Sequence, residues 1–412
     1  MKDKKNPGKL GEHLIHQFFD SRLSKFFSFP NARTKEKAQV ADLIVWLNRK
    51  LFMIEVKARD EGTATLESWA TWRIKQAVEQ IFENYERCER KEDIFLHNDY
   101  FDVKLDHEGV TYHIGLIILA YDGVCHLSPT HAAPDIYERS LPIHVLSWQD
   151  LVALSTEIDT VPDLFYYLQD RFKYLQNHDI PLGAEKEVIG YYKLHINSFP
   201  VEATDFGAGA FWSQYQTVMS NAVEQRGLHN ENSFLIDALK ACFSEQRKLH
   251  SGLPLGLYFA WELGSLTRRA RAYEGEKLHS VKQWFIDGKN TRQFTLQNQA
   301  TGNWHVFYFA NSEMKSIQER LPRLVELKLI KEVHINDFQY AAYGFGFQVS
   351  KTLPLRLEGL MAAVVISSDK VRGYSHNELE EAIKVWGEQK YTSVTRILEY
   401  PESKVLPESK GI

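Results

Sequence analysis

The chain has 412 residues, 44% apolar and 25% charged, with a net charge of −5. That length spans two or three domains with sizeable cores, and the composition excludes disorder, collagen and coiled coil as the main state. Residues 1–60 carry 13 Lys+Arg against 7 Asp+Glu, net +6, while the other 352 carry 36 against 47, net −11. A basic front on an acidic body is compatible with a local phosphate-binding surface.

In chain order, residues 9–27 place Leu10, Leu14, Phe18, Leu23 and Phe26/Phe27 on one stripe, which predicts a helix ending at Pro30-Asn31. Val40–Leu47 and Leu51–Val56 are apolar runs joined by a short turn, Asn48-Arg49-Lys50, and predict a β-hairpin. Residues 66–90 predict a long helix on Trp69, Ile74, Ala77, Val78, Ile81 and Tyr85. Tyr100–Leu105 and Val110–Tyr121 predict a second hairpin around residues 106–109. A short strand at Ile143–Leu146 and helices near 148–156 and 162–175 complete a layered α/β domain over 1–178. His178–Gly183 is the expected junction, and the fragment 1–178 is expected to fold alone. Residues 184–400 predict a mixed α+β domain that recognises, regulates or dimerises. It has strand-like runs at Thr301–Ala310, Tyr340–Val349 and Leu360–Ser367, then a helix at Ser375–Trp386. Residues 401–412 predict a flexible tail.

The longest apolar run, Tyr112–Tyr121, is half the ~20 residues of a membrane helix. No apolar h-region follows the basic N-terminus, so a cytoplasmic address without a membrane partner is expected. Cys88, Cys125 and Cys242 are far apart and fit a reducing compartment. Gly207-Ala-Gly209 and Gly344-Phe-Gly346 lack a following Gly-Lys-Ser/Thr, so they read as turn or strand glycines rather than phosphate loops.

The chemistry concentrates at Asp42 and Glu55-Val56-Lys57. Side chains two apart on a strand share a face, so Glu55 and Lys57 point together, with Asp42 on the partner strand. Two carboxylates at a sheet edge make a hard oxygen site for Mg²⁺, and a lysine beside them can hold water or a phosphate charge. Polar residues inside apolar runs are costly unless satisfied or functional. Glu-x-Lys alone is common in this chain. The best decoy, Glu326/Lys328, lacks an upstream strand with an aspartate. Arg33, Lys35 and Lys37 precede Asp42 in a polar loop, and Arg73 and Lys75 lie on the helix after the motif with Trp69 and Trp72. All five basic residues are candidate nucleic-acid contacts.

Glu12 on a first helix, Asp42 on one strand and Glu55-x-Lys57 on the next resemble the PD-(D/E)XK nuclease superfamily. The similarity is greatest to restriction-endonuclease-like enzymes of the Mrr and Holliday-junction-resolvase type, over about residues 8–150. The resemblance implies a restriction-endonuclease-like mixed sheet flanked by helices and Mg²⁺-dependent DNA cleavage, with Mn²⁺ able to substitute. It implies Asp42 and Glu55 as metal ligands, Lys57 supporting the water nucleophile, Glu12 aiding metal or water, and Gln76 or Gln80 facing the site. Ala41 stands where proline is common. By family analogy, restriction or anti-phage defence is the expected setting, with a homodimer and a partner protein of such a system. An inactive nuclease-fold binding module and an RNA-cleaving enzyme are the alternatives.

Overall fold

The computed structural model describes residues 7–23, 26–59, 65–200, 206, 209–220, 222–245, 255–286, 290–298, 300–311, 313–337, 339–349 and 357–386. The chain is mixed α/β and divides into two compact units, one running to Arg226 and one made of Gly227–Phe243 and Pro254–Ile397. No described helix is long and apolar enough to cross a membrane. The expected tail at 401–412 lies outside the described residues.

The first unit opens with α1 (Pro7–Phe18), which widens into one π-type turn at Phe19–Leu23. Its strands are β1 (Ser28–Thr34), β2 (Gln39–Leu47), β3 (Lys50–Ala58), β4 (Ile94–His97), β5 (Asp102–Lys104), β6 (Tyr112–Ala120) and β7 (Ile143–Ser147). They form one seven-stranded sheet in the order β5-β4-β1-β2-β3-β6-β7. The β5-to-β3 side is antiparallel, and β3, β6 and β7 run parallel.

Two readings of the sequence change here. The first helix stops short of residue 27, and the Pro30-Asn31 stop lies inside β1. Within β1, only Arg33 and Thr34 pair with β4, so at Pro30 the strand has β2 alone beside it and the missing N–H leaves no bond unmade. The second hairpin does not form. β5 pairs with β4, and β6 lies beyond four intervening strands, between β3 and β7. The apolar run of β6 is the signature of a strand buried on both faces in parallel pairing.

The helices cover opposite faces. Met53, Gly115 and Ile143 are in register across β3, β6 and β7, and a Cβ at Gly115 would meet Ile81 Cγ2 at 2.7 Å. Helix α2 (Leu66–Glu89), capped by Thr65 accepting from Ser68 N–H, therefore covers the odd-numbered side of β3. On the even-numbered side, Gly11 of α1 lies against Val56 and Ala58, and Phe52 meets Phe165. Glu55 and Lys57 thus point to the α2 face.

A short helix, α3 (Pro129–Ala132), precedes β7, and after β7 come α4 (Trp148–Glu157), α5 (Val161–Leu175), α6 (Glu185–Leu194) and α7 (Phe211–Ser220). The expected boundary at 178–183 falls inside this unit. Arg171 and Glu185 form a fully buried ion pair at 2.9 Å, joined by the Tyr167 hydroxyl. Asp150 accepts from Gly183 N–H at 3.0 Å and Glu185 N–H at 3.2 Å. A chain ended at residue 178 leaves Arg171 buried without its carboxylate, a loss of about 3–5 kcal/mol. The fragment 1–226 is expected to melt cooperatively by circular dichroism and 1–178 to show no cooperative transition. An equally cooperative melt for 1–178 would place the boundary where the sequence suggested.

The second unit holds the 227–243 stretch of α8 (Val223–Glu245), then α9 (Leu255–Gly264), α10 (Arg268–Ile286), β8 (Thr291–Gln297), β9 (Trp304–Ala310), α11 (Met314–Asn336), β10 (Ala341–Val349), β11 (Leu357–Ser367) and α12 (His376–Trp386). Its sheet order is β11-β10-β9-β8, with β9 and β10 parallel around α11. Leu321 and Val325 of α11 approach the sheet over Gly344, where a Cβ would meet Val325 Cγ2 at 2.5 Å. The Gly344–Gly346 pair is therefore strand, as read; positions 207 and 208 lie outside the described residues. The decoy Glu326/Lys328 sits on α11, where residues two apart do not share a face, and Lys328 pairs with Glu332 at 2.6 Å instead.

Candidate active site

β2 and β3 pair from Leu47/Lys50, across a two-residue turn, up to Leu43/Ile54. The next positions are Asp42 and Glu55, and there the ladder gives way. The Asp42 carboxylate accepts the Val56 N–H through Oδ2 at 2.8 Å, so a side chain takes the place of a strand carbonyl. Cross-strand neighbours share a face, so Asp42, Glu55 and Lys57 converge on the α2 side.

Glu55 is 4% exposed. Burial, then the Asp42 charge, push its carboxyl up to about 7, with Glu12 adding to the rise and Lys57 opposing it. Lys57 Nζ donates to Glu55 Oε2 at 2.8 Å. Glu12 of α1 therefore lies within electrostatic reach of Glu55 from the opposite side of the sheet. A carboxyl poised near neutrality between a second acid and a lysine is suited to a cation or to proton transfer.

Helix α2 crosses above. Arg139 pairs with Glu79 at 3.2 Å and lies over the Phe82 ring at 4.2 Å, which fixes one flank of the helix. At 100° per residue Lys75 shares that flank, while Trp69, Arg73, Gln76 and Gln80 share the other. Trp69 meets Tyr121, and Ile81 meets Gly115. With about 1.5 Å rise per helical residue against about 3.3 Å per strand residue, Arg73 and Gln76 come level with Lys57 and Glu55, and Gln80 falls a turn further along. Gln76 Oε1 accepts from Arg73 at 2.9 Å, whereas Gln80 Oε1 is buried with no hydrogen-bond partner among the described residues. Trp72 is exposed, with the Arg73 guanidinium 4.3 Å from its ring centre. Lys75 is separated from the Arg73 group.

Arg33, Lys35 and Lys37 are exposed, but they do not form a loose loop. Arg33 belongs to β1, and Lys35 and Lys37 sit in a tight turn closed by Thr34 N–H donating to Ala38 O at 2.9 Å, with Lys37 at a φ of 68°.

One residue at the candidate site escaped the sequence reading. Gln39 Nε2 donates to Asp42 Oδ1 at 3.0 Å. Ala32 pairs with Ala41 but Arg33 with Gln39, so Val40 is an extra residue on β2. Such a bulge re-aims the side chains beside it, and no residue pattern announces it. Gln39→Ala is expected to weaken Mg²⁺ binding measured by calorimetry roughly tenfold, in the range of outer-shell losses. Unchanged affinity would remove Gln39 from the site.

Among the described residues no group of three or more His, Cys, Asp or Glu side chains has the arrangement of a complete metal cage. The donors that converge are the two carboxylates of Asp42 and Glu55. Such a pair fits Mg²⁺, which is commonly held by one or two carboxylates with substrate phosphates and water completing the shell. Comparison with protein-family models, with curated proteins and with solved structures finds no match to the chain.

Proposed function

We propose that the first unit is a Mg²⁺-dependent endonuclease of the PD-(D/E)XK type that hydrolyses DNA phosphodiester bonds. The observation that carries the reading is the convergence of Asp42, Glu55 and Lys57 where β2 and β3 part, with Lys57 Nζ 2.8 Å from Glu55. Asp42 and Glu55 would hold the cation; when bound, Mg²⁺ polarises the phosphate and eases ionisation of water. Val56 N–H and Gln39 fix the Asp42 carboxylate, so its orientation is set before substrate arrives. Lys57, one bond from Glu55, orients the attacking water or balances charge on the phosphate. Arg33, Lys35, Lys37 and Arg73 supply phosphate contacts. Cutting both strands requires two sites or two visits, so a homodimer is the proposed assembly. A restriction or anti-phage system with a partner protein is the proposed setting, by analogy alone.

The test is incubation of the full chain with supercoiled, linear and branched DNA, and with RNA, in Mg²⁺, Mn²⁺, Ca²⁺ or EDTA. The reading requires DNA cleavage in Mg²⁺ and Mn²⁺, little in Ca²⁺ and none in EDTA. Ca²⁺ takes more ligands at longer distances and misplaces the nucleophile. Full activity in chelator, or cleavage of RNA alone, would overturn it.

A further inference from the structure

The outer strands of the first sheet carry a row of side chains that runs outward from the candidate site. Arg33 pairs with Gln39 on one side and Phe95 on the other, and Phe95 pairs with Lys104. Directly paired residues on antiparallel strands share a face. Gln39, Arg33, Phe95 and Lys104 therefore form one cross-strand row over β2, β1, β4 and β5. Phe29 pairs with Ile44, two residues from Asp42 on β2, so the odd-numbered side of β1 is the side of Asp42 and Glu55. The row lies on the face of the candidate site and begins at Gln39, which holds Asp42.

That face is open. Asn31, Arg33, Phe95, His97, Asp102 and Lys104 are all exposed, while Ala32, Thr34, Ile94 and Leu96 on the reverse are buried. The strands thus alternate solvated and buried as a half-covered antiparallel sheet does, with one exception. Phe95 is a large apolar ring, 44% exposed, on the solvated side. Its cross-strand neighbours are both cations. Asp93, the acid beside Lys104 at 2.6 Å, is held below the usual carboxylate range chiefly by that hydrogen bond, with Lys35 also contributing. Asp93 is thereby paired, and Asp102, across from His97, is a second acid on this face.

An exposed ring flanked by cations on an open sheet matches what single-stranded nucleic acid requires: a surface for an unpaired base and charges for its phosphates. A base inside a duplex offers no free face to such a ring. We infer that the β2-β1-β4-β5 face is a platform for an unpaired nucleic-acid strand. Phe95 stacks on a base, Arg33 and Lys104 contact the flanking phosphates, and the strand is led toward Asp42. Phe95 stands two strand spacings, about 10 Å, from Gln39. The inference rests on the nuclease reading for the strand's destination, and it names the substrate class as DNA or RNA with an unpaired segment.

The experiment is fluorescence anisotropy of the full chain in EDTA with labelled single-stranded DNA, single-stranded RNA and duplex DNA of one length. Phe95→Leu keeps apolar bulk without an aromatic face, and Phe95→Trp keeps the face. Circular dichroism checks the fold of each. Phe95→Leu should weaken single-strand binding about tenfold, with Phe95→Trp at or above wild type and duplex affinity changed less than twofold. Arg33→Ala should lower the salt slope of single-strand binding by about 0.7. The tighter of the two single strands names the source. Phe95→Leu binding within twofold of wild type, or losing single strand and duplex equally, would overturn the platform. Cleavage is read separately on wild type in Mg²⁺. An inert wild type whose binding still needs Phe95 sinks the nuclease and keeps the platform. An active wild type indifferent to Phe95 does the reverse.

Discussion

Alanine at Asp42, Glu55 or Lys57 is expected to lower DNA cleavage by about 10³-fold, through one kind of loss at the two carboxylates and another at the lysine. Asp42→Ala and Glu55→Ala each remove one of two carboxylates, so Mg²⁺ binding measured by calorimetry should vanish with activity. Lys57→Ala should keep Mg²⁺ binding and still fail to cut, because the lysine acts on water or phosphate rather than on the metal. Without metal, stability should move the other way. The folded-state carboxyl of Glu55 titrates at about 7, above its ordinary 4.5, chiefly because it is buried. Its contribution to folding is complete below pH 4.5 and is lost as pH rises through 7. Glu55→Gln should therefore raise metal-free stability at pH 8 by up to about 3 kcal/mol and change little at pH 4. Cleavage at the wild-type rate by Glu55→Ala would remove Glu55 from the chemistry.

His305→Ala is expected to destabilise the second unit by about 3–5 kcal/mol. His305 is fully buried on β9, with Nδ1 2.9 Å from Glu274 and Nε2 3.1 Å from Glu262. Burial alone would push the imidazole down, but Glu274 and Glu262 outweigh it and hold it up at about 10. Glu262 in turn is held below its ordinary value, against burial, by His305, Thr301 and Asn303. Its oxygens accept from Thr301 Oγ1 at 2.6 Å and from Asn298 and Asn303 Nδ2 at 2.7 Å. Removing the imidazolium leaves two buried carboxylates without their shared cation. The sign follows from the histidine. Its stabilisation is fully present below pH 6.5 and is lost as pH rises through about 10. Wild-type melting temperature should fall over that window, and the fall should be much shallower in His305→Ala. A variant that melts with wild type would show the triad to be energetically idle.

Legibility in the sequence followed the range of the forces involved. Asp42, Glu55 and Lys57 stood out because a charge inside an apolar strand is costly, and the period of two set their common face. Helix α2, the β2–β3 hairpin and helices α4 and α5 followed from local periodicity. What escaped depended on partners distant in the chain. Pro30 reads as a stop until β4 is seen to end before reaching it. Asp102–Lys104 and Tyr112–Ala120 read as a hairpin because nothing local tells a strand that its partner lies at the other edge. The Gln39 contact to Asp42 depends on a one-residue bulge. The Arg171–Glu185 pair crosses the segment whose Pro and Gly suggested a boundary. Composition likewise did not foresee that residues 262–305 would gather one buried charge cluster.

The most direct test of the central claim is the nicking of supercoiled plasmid under single-turnover conditions by the full chain and its Glu55→Gln variant, each in Mg²⁺ and in EDTA. The site geometry predicts conversion to open-circular or linear DNA only for wild type in Mg²⁺. Equal conversion by the two chains in Mg²⁺, or conversion by wild type in EDTA, would contradict it.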